Sequence, residues 1–343
     1  MKPSRYQQAG VSIDAQDQAI DQIKNQVRDT ETPRVLSGIG GFGGLFDISF
    51  PELTHPVLVS SADGVGTKLK IAFDTGRFDT VGQCLVNHCI DDILVQGAKP
   101  LFFMDYIATG RLEPGVVAEV VGGMALAAKE NGTAVLGGEM AEMPGFYSDG
   151  EFDIAGFIVG VVDRPKILGA ERVTAGQSLI GLASTGLHTN GYSLARKIVF
   201  EEQGLGPHDP IPGCGGSAVD LLLAVHRSYY PVLWPLLEAN QIRAMAHITG
   251  GGFLDNIPRV LPPGVGAVIR KDSYPLPPLF AFLLDKGGMD ETEPYRVFNM
   301  GVGMVLMVDR EQENRVLTHL RNEGQAAWVI GETKPGKQEV ELV

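Results

Sequence analysis

The chain has 343 residues, a formal net charge of −13, 44% hydrophobic and 20% charged residues, a length that suits about two domains of roughly 150 residues each. The negative balance excludes the extended basic stripe that nucleic acid or an anionic membrane surface requires. Small anions remain open as ligands, because metal ions and turns rich in free N–H groups create local positive potential.

Along the chain, a polar helix is expected from Ile13 to Asp29, followed by Ser37 to Gly44, too rich in glycine for regular structure and read as a mobile loop. Short apolar strands then alternate with helices: strand Val57 to Val59, helix Asp79 to Gln96, strand Leu101 to Ile107, helix Pro114 to Asn131, then strands Ala134 to Leu136 and Ile154 to Val162. Pro114 in a first turn, with Gly97 and Gly132 just past helix ends, punctuates these elements. A turn-rich stretch from Asp163 to Gln177 puts a boundary near residue 170, giving an N-terminal mixed α/β domain, 1–170, and a C-terminal α/β domain, 171–343. The second half uses one theme twice. Strand Ser178 to Leu182 runs into Ser184 to Ser193 and a helix, and strand Ala244 to Ile248 runs into Thr249 to Gly252 and the helix Phe253 to Leu261.

Cys84, Cys89 and Cys214 are odd in number and lack CxxC spacing, so neither a disulfide framework nor a zinc site is expected and the compartment reads as reducing. The first 25 residues hold no apolar core of a secretory signal, and no stretch approaches the ~18 apolar residues of a spanning helix. The cytoplasm is the expected location.

Four acids are placed by their neighbours. Asp63 follows an apolar strand and opens the run to Lys68, Asp105 ends Leu101 to Met104, and Glu139 follows Ala134 to Gly138; strand ends in α/β sheets are where ligands bind. Asp92 falls between Val81 and Leu85 on the apolar face of the 79–96 helix at ~100° per residue. A carboxylate there needs a cation, and hard oxygen ligands suit Mg²⁺, which combines one or two carboxylates with substrate phosphates. Helix capping and ion pairing are the alternative for any one of these acids. His88 reads as a packing histidine, and Met140, Met143 and Met300 as core filler.

The glycine segments carry anion-binding expectations. No G-x-x-x-x-G-K-[ST] is present, and the run from Gly38 lacks the preceding strand of a dinucleotide fingerprint. Its backbone can still wrap phosphate oxygens and close over a nucleotide, with a flexible linker as the alternative. The two second-half loops are firmer, because a strand feeding a glycine turn and then a helix aims N–H groups and a positive dipole end at one point. Thr189, Asn190, Ser193 and Thr249 add short polar donors, though the same residue types also cap helices.

At these residues the chain resembles the phosphoribosylformylglycinamidine cyclo-ligase family, also called aminoimidazole ribonucleotide synthetases, over almost its whole length. The segments that carry the likeness are Tyr6–Val11, Gly40–Gly43, Asp63–Lys68, Asp92–Pro100, Asp105–Gly110, Gly137–Gly145, His188–Ser193, Thr249–Gly252 with Asn256–Arg259, and Phe298–Gly303. The wider superfamily includes a formylglycinamidine ribonucleotide amidotransferase, selenophosphate synthetase, thiamine-monophosphate kinase and a hydrogenase-maturation enzyme. The Glu139–Gly145 and Phe298–Gly303 segments favour the cyclo-ligase. Two positions depart from its pattern, Asp91 where the family usually has Asn, and Leu187 where Pro is typical.

The resemblance implies ATP-dependent closure of the imidazole ring of aminoimidazole ribonucleotide from formylglycinamidine ribonucleotide, by a homodimer whose N-terminal sheets pair into a barrel. It assigns Asp63, Asp92 and Glu139, with Asp105 second, to Mg²⁺. Gly40, Gly41, Gly43, Gly44, Thr67 and Lys68 go to ATP. Asn190, Ser193, Thr249, Gly250, Gly251 and Gly252 go to the substrate and its phosphate, and His188 beside them is the candidate proton-handling group, with anion binding at the phosphate loop fitting its position equally well. Asp63, Asp92 and His188 form the expected catalytic set. A small-molecule kinase of the same superfamily and a non-catalytic nucleotide-binding subunit are the rival readings.

Overall fold

The computed structural model describes residues 5–343, folded as two compact units. The first holds the residues up to Ile93 together with Lys99–Arg164, and the second holds Leu94–Ala98 together with Pro165–Val343. A single boundary near residue 170 is therefore too simple: the segment after the long helix belongs to the second unit, where Leu94 packs with Leu168 and Ile180.

In the first unit, helices α1 (Arg5–Gln8) and α2 (Ile13–Arg28) precede strand β1 (Pro56–Gly64), helices α3 (Lys68–Thr75) and α4 (Asp79–Leu94), strand β2 (Lys99–Thr109), helix α5 (Pro114–Glu130) and strands β3 (Ala134–Glu142) and β4 (Phe152–Asp163). Helix α2 starts where Ser12 accepts a hydrogen bond from the Ala15 N–H, satisfying one of the donors that a helix start leaves open. The sheet order is β1-β4-β2-β3, antiparallel except for β2 with β3, which α5 connects. Val81, Cys84, Leu85, Val86, Cys89 and Ile90 of α4 are all fully buried, so this helix has no single apolar stripe. Helices α4 and α5 approach closely at glycine: a Cβ on Gly82 would stand 2.0 Å from the Val120 carbonyl oxygen, and one on Gly123 2.2 Å from that of Asp79. Each buried aliphatic side chain of this layer contributes about 1.5–3 kcal/mol.

The other face of this sheet is open within the unit. Strand alternation puts Leu58, Phe157 and Met104 on it, 58%, 46% and 39% exposed.

The second unit runs through β5 (Ser178–Ala183), α6 (Tyr192–Arg196), α7 (Ala218–Leu222), α8 (Tyr230–Glu238), β6 (Ala244–His247), α9 (Gly252–Asn256), β7 (Val265–Ile269), α10 (Pro278–Gly287), α11 (Pro294–Val297), β8 (Val302–Val308), α12 (Glu313–Asn322), β9 (Ala327–Pro335) and β10 (Val340–Leu342). Its mixed sheet has the order β10-β7-β9-β5-β8-β6. All of β8 is buried, as a strand covered on both faces must be. No helix among the described residues is long and apolar enough to cross a membrane.

Candidate functional site

The acids of the first unit are arranged by strand register. The predicted strands stop short of Asp63 and Glu139, but β1 and β3 run on, so these two lie within strands, as Asp105 does within β2, rather than beyond strand ends. Asp63 pairs with Gly156, Gly156 with Asp105, and Asp105 with Gly138, forming one row across four strands. Residues in one row share a face, so both aspartates face the helix layer, with glycines leaving room between them. A Cβ on Gly138 would stand 2.3 Å from Asp105 Oδ1. Crowding takes water from the half-buried Asp105 carboxyl and pushes its pKa up to about 7, against the pull of a backbone hydrogen bond.

On the same face, His88 of α4 brings Nε2 to 2.9 Å from Asp63 Oδ2 and 3.9 Å from Asp92 Oδ2. The Ser61 hydroxyl donates to Asp92 Oδ2 at 3.1 Å, and the Gly64 N–H donates to Asp63 Oδ1 at 2.8 Å. Cys89 lies close enough that, after burial, the charges of Asp63 and Asp92 hold its thiol well above the ordinary range, so it is not a thiolate nucleophile.

Three expectations change here. The wheel put Asp92 on the buried face of α4, yet its side chain keeps 24% exposure while Asp91 is fully buried. Because α4 is covered nearly all round, a carboxylate can be buried at a position that a one-stripe wheel calls polar. Glu139 does not join Asp63 and Asp92. It pairs with Tyr106, one step out of the Asp105 row, and therefore stands on the open face with Met104 and Phe157. Lys68, expected at nucleotide phosphates, is buried in the first turn of α3 and reaches Cys84 Sγ at 3.1 Å.

The glycine-rich segment 37–44 is the tip of a hairpin closed by the Val35–Phe46 bridge, with Leu36 N–H donating to the Leu45 carbonyl at 2.8 Å. It is anchored at its base, which argues against a plain linker. Gly40 and Gly43 face open space, Phe42 at the tip is fully exposed, and Gly44 packs on Leu136. Thr67 sits at the start of α3 without capping it.

In the second unit the two glycine turns meet. A Cβ on Gly250 would lie 3.2 Å from Asn190 Oδ1. The Asn256 amide donates to the carbonyls of Thr249, Gly250 and Gly252 at 3.3, 3.2 and 2.8 Å, drawing those oxygens to one side of the turn. Gly251 and Gly252 have φ of 95° and 56°, open only to glycine without strain. Ser193 is exposed in the first turn of α6. The helices after both turns are shorter than expected: α6 has five residues before a π-helical stretch, Lys197–Glu202, and α9 has five before a 3₁₀ stretch, Ile257–Val260. Macrodipoles of that length are small, which leaves backbone N–H groups as the anion-holding element.

His188 has φ 63° and is buried; its Nε2 accepts the Thr185 N–H at 3.2 Å, and its ring stacks on that of His226 with centroids 4.0 Å apart. Leu187, at the second atypical position, is buried beside it in sequence. Sequence reasoning passed over His226 and His247, and it set His88 aside as packing. The spacing of His88 four residues before Asp92 on one helix was the available signal; His226 lies in a stretch with no periodicity to mark it.

Comparison with known proteins follows this division. Residues 51–162 match the family model for the AIR synthase related protein, N-terminal domain, and residues 174–343 match its C-terminal domain. The chain is 51% identical over 341 residues to a phosphoribosylformylglycinamidine cyclo-ligase of Geobacter sulfurreducens, covering 98% of each. It is 45% identical over 337 residues to the enzyme of that name from Alkaliphilus oremlandii, covering 98% of this chain and 99% of that one. Among solved structures it is similar to a thiamine-monophosphate kinase from Stenotrophomonas maltophilia, with TM-score 0.71 and 17% identity over 95% of both chains. It is also similar to a hydrogenase maturation protein HypE in complex with ATP, with TM-score 0.69 and 18% identity over 98% of this chain and 93% of that one. At such identities the two structures speak for the fold alone.

Proposed function

Since the chain belongs to the phosphoribosylformylglycinamidine cyclo-ligase family of purine biosynthesis, we propose that it closes the imidazole ring of aminoimidazole ribonucleotide from formylglycinamidine ribonucleotide at the expense of ATP. The observation that carries this reading is the full-length identity to the cyclo-ligases, joined to an acid cluster in one unit and paired glycine turns in the other.

The chemistry accounts for both features. An amide oxygen leaves poorly, and transfer of the ATP γ-phosphoryl group to the formyl oxygen turns it into phosphate, a good leaving group. The amidine nitrogen of the same molecule then attacks the formyl carbon, the carbon–oxygen bond breaks and phosphate departs, an intramolecular step that gains from held geometry. The protein has to position the substrates and balance charge.

Asp63 and Asp92 are the residues we assign to Mg²⁺. Two carboxylates converging beside the Ser61 hydroxyl fit an ion that takes one or two carboxylates and leaves its other positions to water and phosphate. Bound there, Mg²⁺ supplies neutralisation of phosphate charge. His88 holds the two carboxylates in place between them, and Asp105 stands behind as a reserve proton carrier with its raised pKa. The segment with Gly40, Gly41, Gly43 and Gly44, and Thr67, are assigned to the nucleotide phosphates. Asn190, Ser193, Thr249 and Gly250 to Gly252 are assigned to the ribonucleotide phosphate, and His188 is the proton-handling group beside them.

The open face of the first sheet supports pairing with a second copy into a barrel, since Leu58, Met104 and Phe157 expose apolar side chains together on it. Glu139 lies on that face. The chain would work in the cytoplasm.

The deciding assay supplies Mg-ATP and formylglycinamidine ribonucleotide and follows ADP, free phosphate and the diazotisable aminoimidazole. We expect the three in equal amounts. Phosphate retained on an organic product would identify a kinase, and nucleotide binding without turnover a non-catalytic subunit.

A further inference from the structure

Three histidines from separate parts of the second unit come together in its interior: His188 from the turn after β5, His226 from the stretch between α7 and α8, and His247 at the end of β6, each buried. His226 is the centre. Its Nε2 lies 3.2 Å from His247 Nε2, its Nδ1 3.4 Å from Thr189 Oγ1, and its ring on the His188 ring at 4.0 Å with 21° between planes. Ring nitrogens of the three lie within 4.8 Å of one another, a spacing that admits a metal ion. The stacking argues otherwise: rings stacked 4.0 Å apart hold their lone pairs in two nearly parallel planes, whereas ligands of one ion must converge on a point. The contacts describe a hydrogen-bonded stack.

That stack joins the two turns assigned to the substrate phosphate. Thr189 and His188 belong to the first, and His247 leads through Ile248 into Thr249, the start of the second. Two facing Nε2 atoms need one proton between them, so one ring donates and the other accepts, which fixes tautomer and ring orientation together. His188 meanwhile sits in left-handed backbone, which a non-glycine residue keeps only where its surroundings hold it; besides Thr185, the Tyr192 hydroxyl donates to its carbonyl at 3.1 Å.

We propose that His226 is a positioning residue for the ribonucleotide phosphate, a cross-brace that fixes the spacing between the 186–193 turn and the 249–252 turn without touching the substrate. The proposal rests on the assignment of those turns to the phosphate. A brace of this kind acts on the binding of one substrate. It holds donors at the separation the phosphate needs, so its loss weakens ribonucleotide binding and leaves nucleotide binding alone.

The test compares His226→Phe, which keeps a flat ring in the stack and removes both polar contacts, with His226→Gln, whose amide can restore the contact to His247. We expect Phe to raise KM for formylglycinamidine ribonucleotide about tenfold, the scale of one or two lost neutral hydrogen bonds. The kcat and the KM for ATP should stay near wild type, and Gln should recover most of the loss. A packing role predicts the reverse order, with Phe near wild type and Gln impaired, and that result overturns the proposal. Should the Phe variant not fold, long-range ¹H–¹⁵N spectra of the wild-type imidazoles decide: inorganic phosphate is expected to shift the His226 and His247 signals, and unmoved signals at saturating phosphate overturn the brace. Asn190→Ala separates the levels. If it raises the ribonucleotide KM while His226→Phe does not, the phosphate assignment stands and the brace falls; if neither changes KM and phosphate shifts no histidine signal, both fall.

Discussion

In the first unit the assigned site is built from side chains that carry charge, Asp63 and Asp92 with His88 between them, held by the edge strand β1 and the buried helix α4. In the second it is built from backbone, with glycines at 250, 251 and 252 and uncharged neighbours at Asn190 and Thr249. The difference follows from what each must hold. A divalent cation is answered by formal charge on rigid elements, whereas a phosphate entering a chain of net charge −13 is answered by N–H groups that need no counter-ion. Substitutions should therefore fail in different ways, through charge in the first unit and through shape in the second.

The largest effect is expected at Asp92. Asp92→Asn keeps the shape and the bond from Ser61 while removing the charge, so turnover should fall about a hundredfold or more, the scale of losing one preorganised electrostatic contact in a reaction of this kind. Its thermal midpoint should hold or rise, because Asp63 loses a like-charged neighbour. Steady-state kinetics over a magnesium titration reads this directly. Wild-type kcat in the variant would remove Asp92 from the cation site.

Next in size is a shape change without any change in charge. Gly252→Ala puts a Cβ 2.1 Å from the Tyr295 carbonyl oxygen at a residue with φ 56°, and both obstacles are backbone, so neither can swing aside. We expect a loss of about 3 kcal/mol in urea unfolding followed by circular dichroism, from overpacking and left-handed strain together. Gly250→Ala is the control. Its nearest neighbour is the Asn190 side chain at 3.2 Å, and its loss should be small in stability but visible in ribonucleotide KM. Equal destabilisation by the two would mean that the turn tolerates no Cβ anywhere, and the contrast between bonded shape and binding shape would disappear.

The same contrast shows why parts of this molecule are legible in its residues and others are not. Helices α4 and α5 and both strand-to-glycine turns follow from local signals: Pro114 in a first turn, Gly97 and Gly132 just past helix ends, runs of glycine after apolar strands. The side taken by Glu139 does not. It depends on strands β2 and β3 extending past their apolar residues and on an irregularity in their pairing between Phe103 and Met104, which local pattern does not encode. Asp91 is buried while Asp92, expected on the buried face, stays partly exposed, because helix α4 is covered on most sides, a fact of tertiary packing. His226 joins His188 and His247 only through the path of the chain between α7 and α8, so no spacing could have announced it.

The smallest effect concerns Asp105, whose charge is suppressed where that of Asp92 is used. Its folded pKa of about 7 lies above the ordinary carboxylate value of 3.8, chiefly through burial, so the folded state binds its proton more tightly than the unfolded chain does. Between pH 4 and 7 the unfolded chain carries this carboxylate ionised while the folded protein keeps it protonated. Raising the pH through that window therefore costs stability, and above about 7 the penalty is complete and flat. Discounted for its partial exposure, the penalty should be about 2 kcal/mol. Asp105→Asn has no such proton to lose, so the difference in unfolding free energy between variant and wild type should grow from pH 4 to 7 and then level. A difference that stays constant across that range would mean that Asp105 is already ionised in the fold, and the row of glycines beside it would then be making room for a charge instead of sheltering an acid.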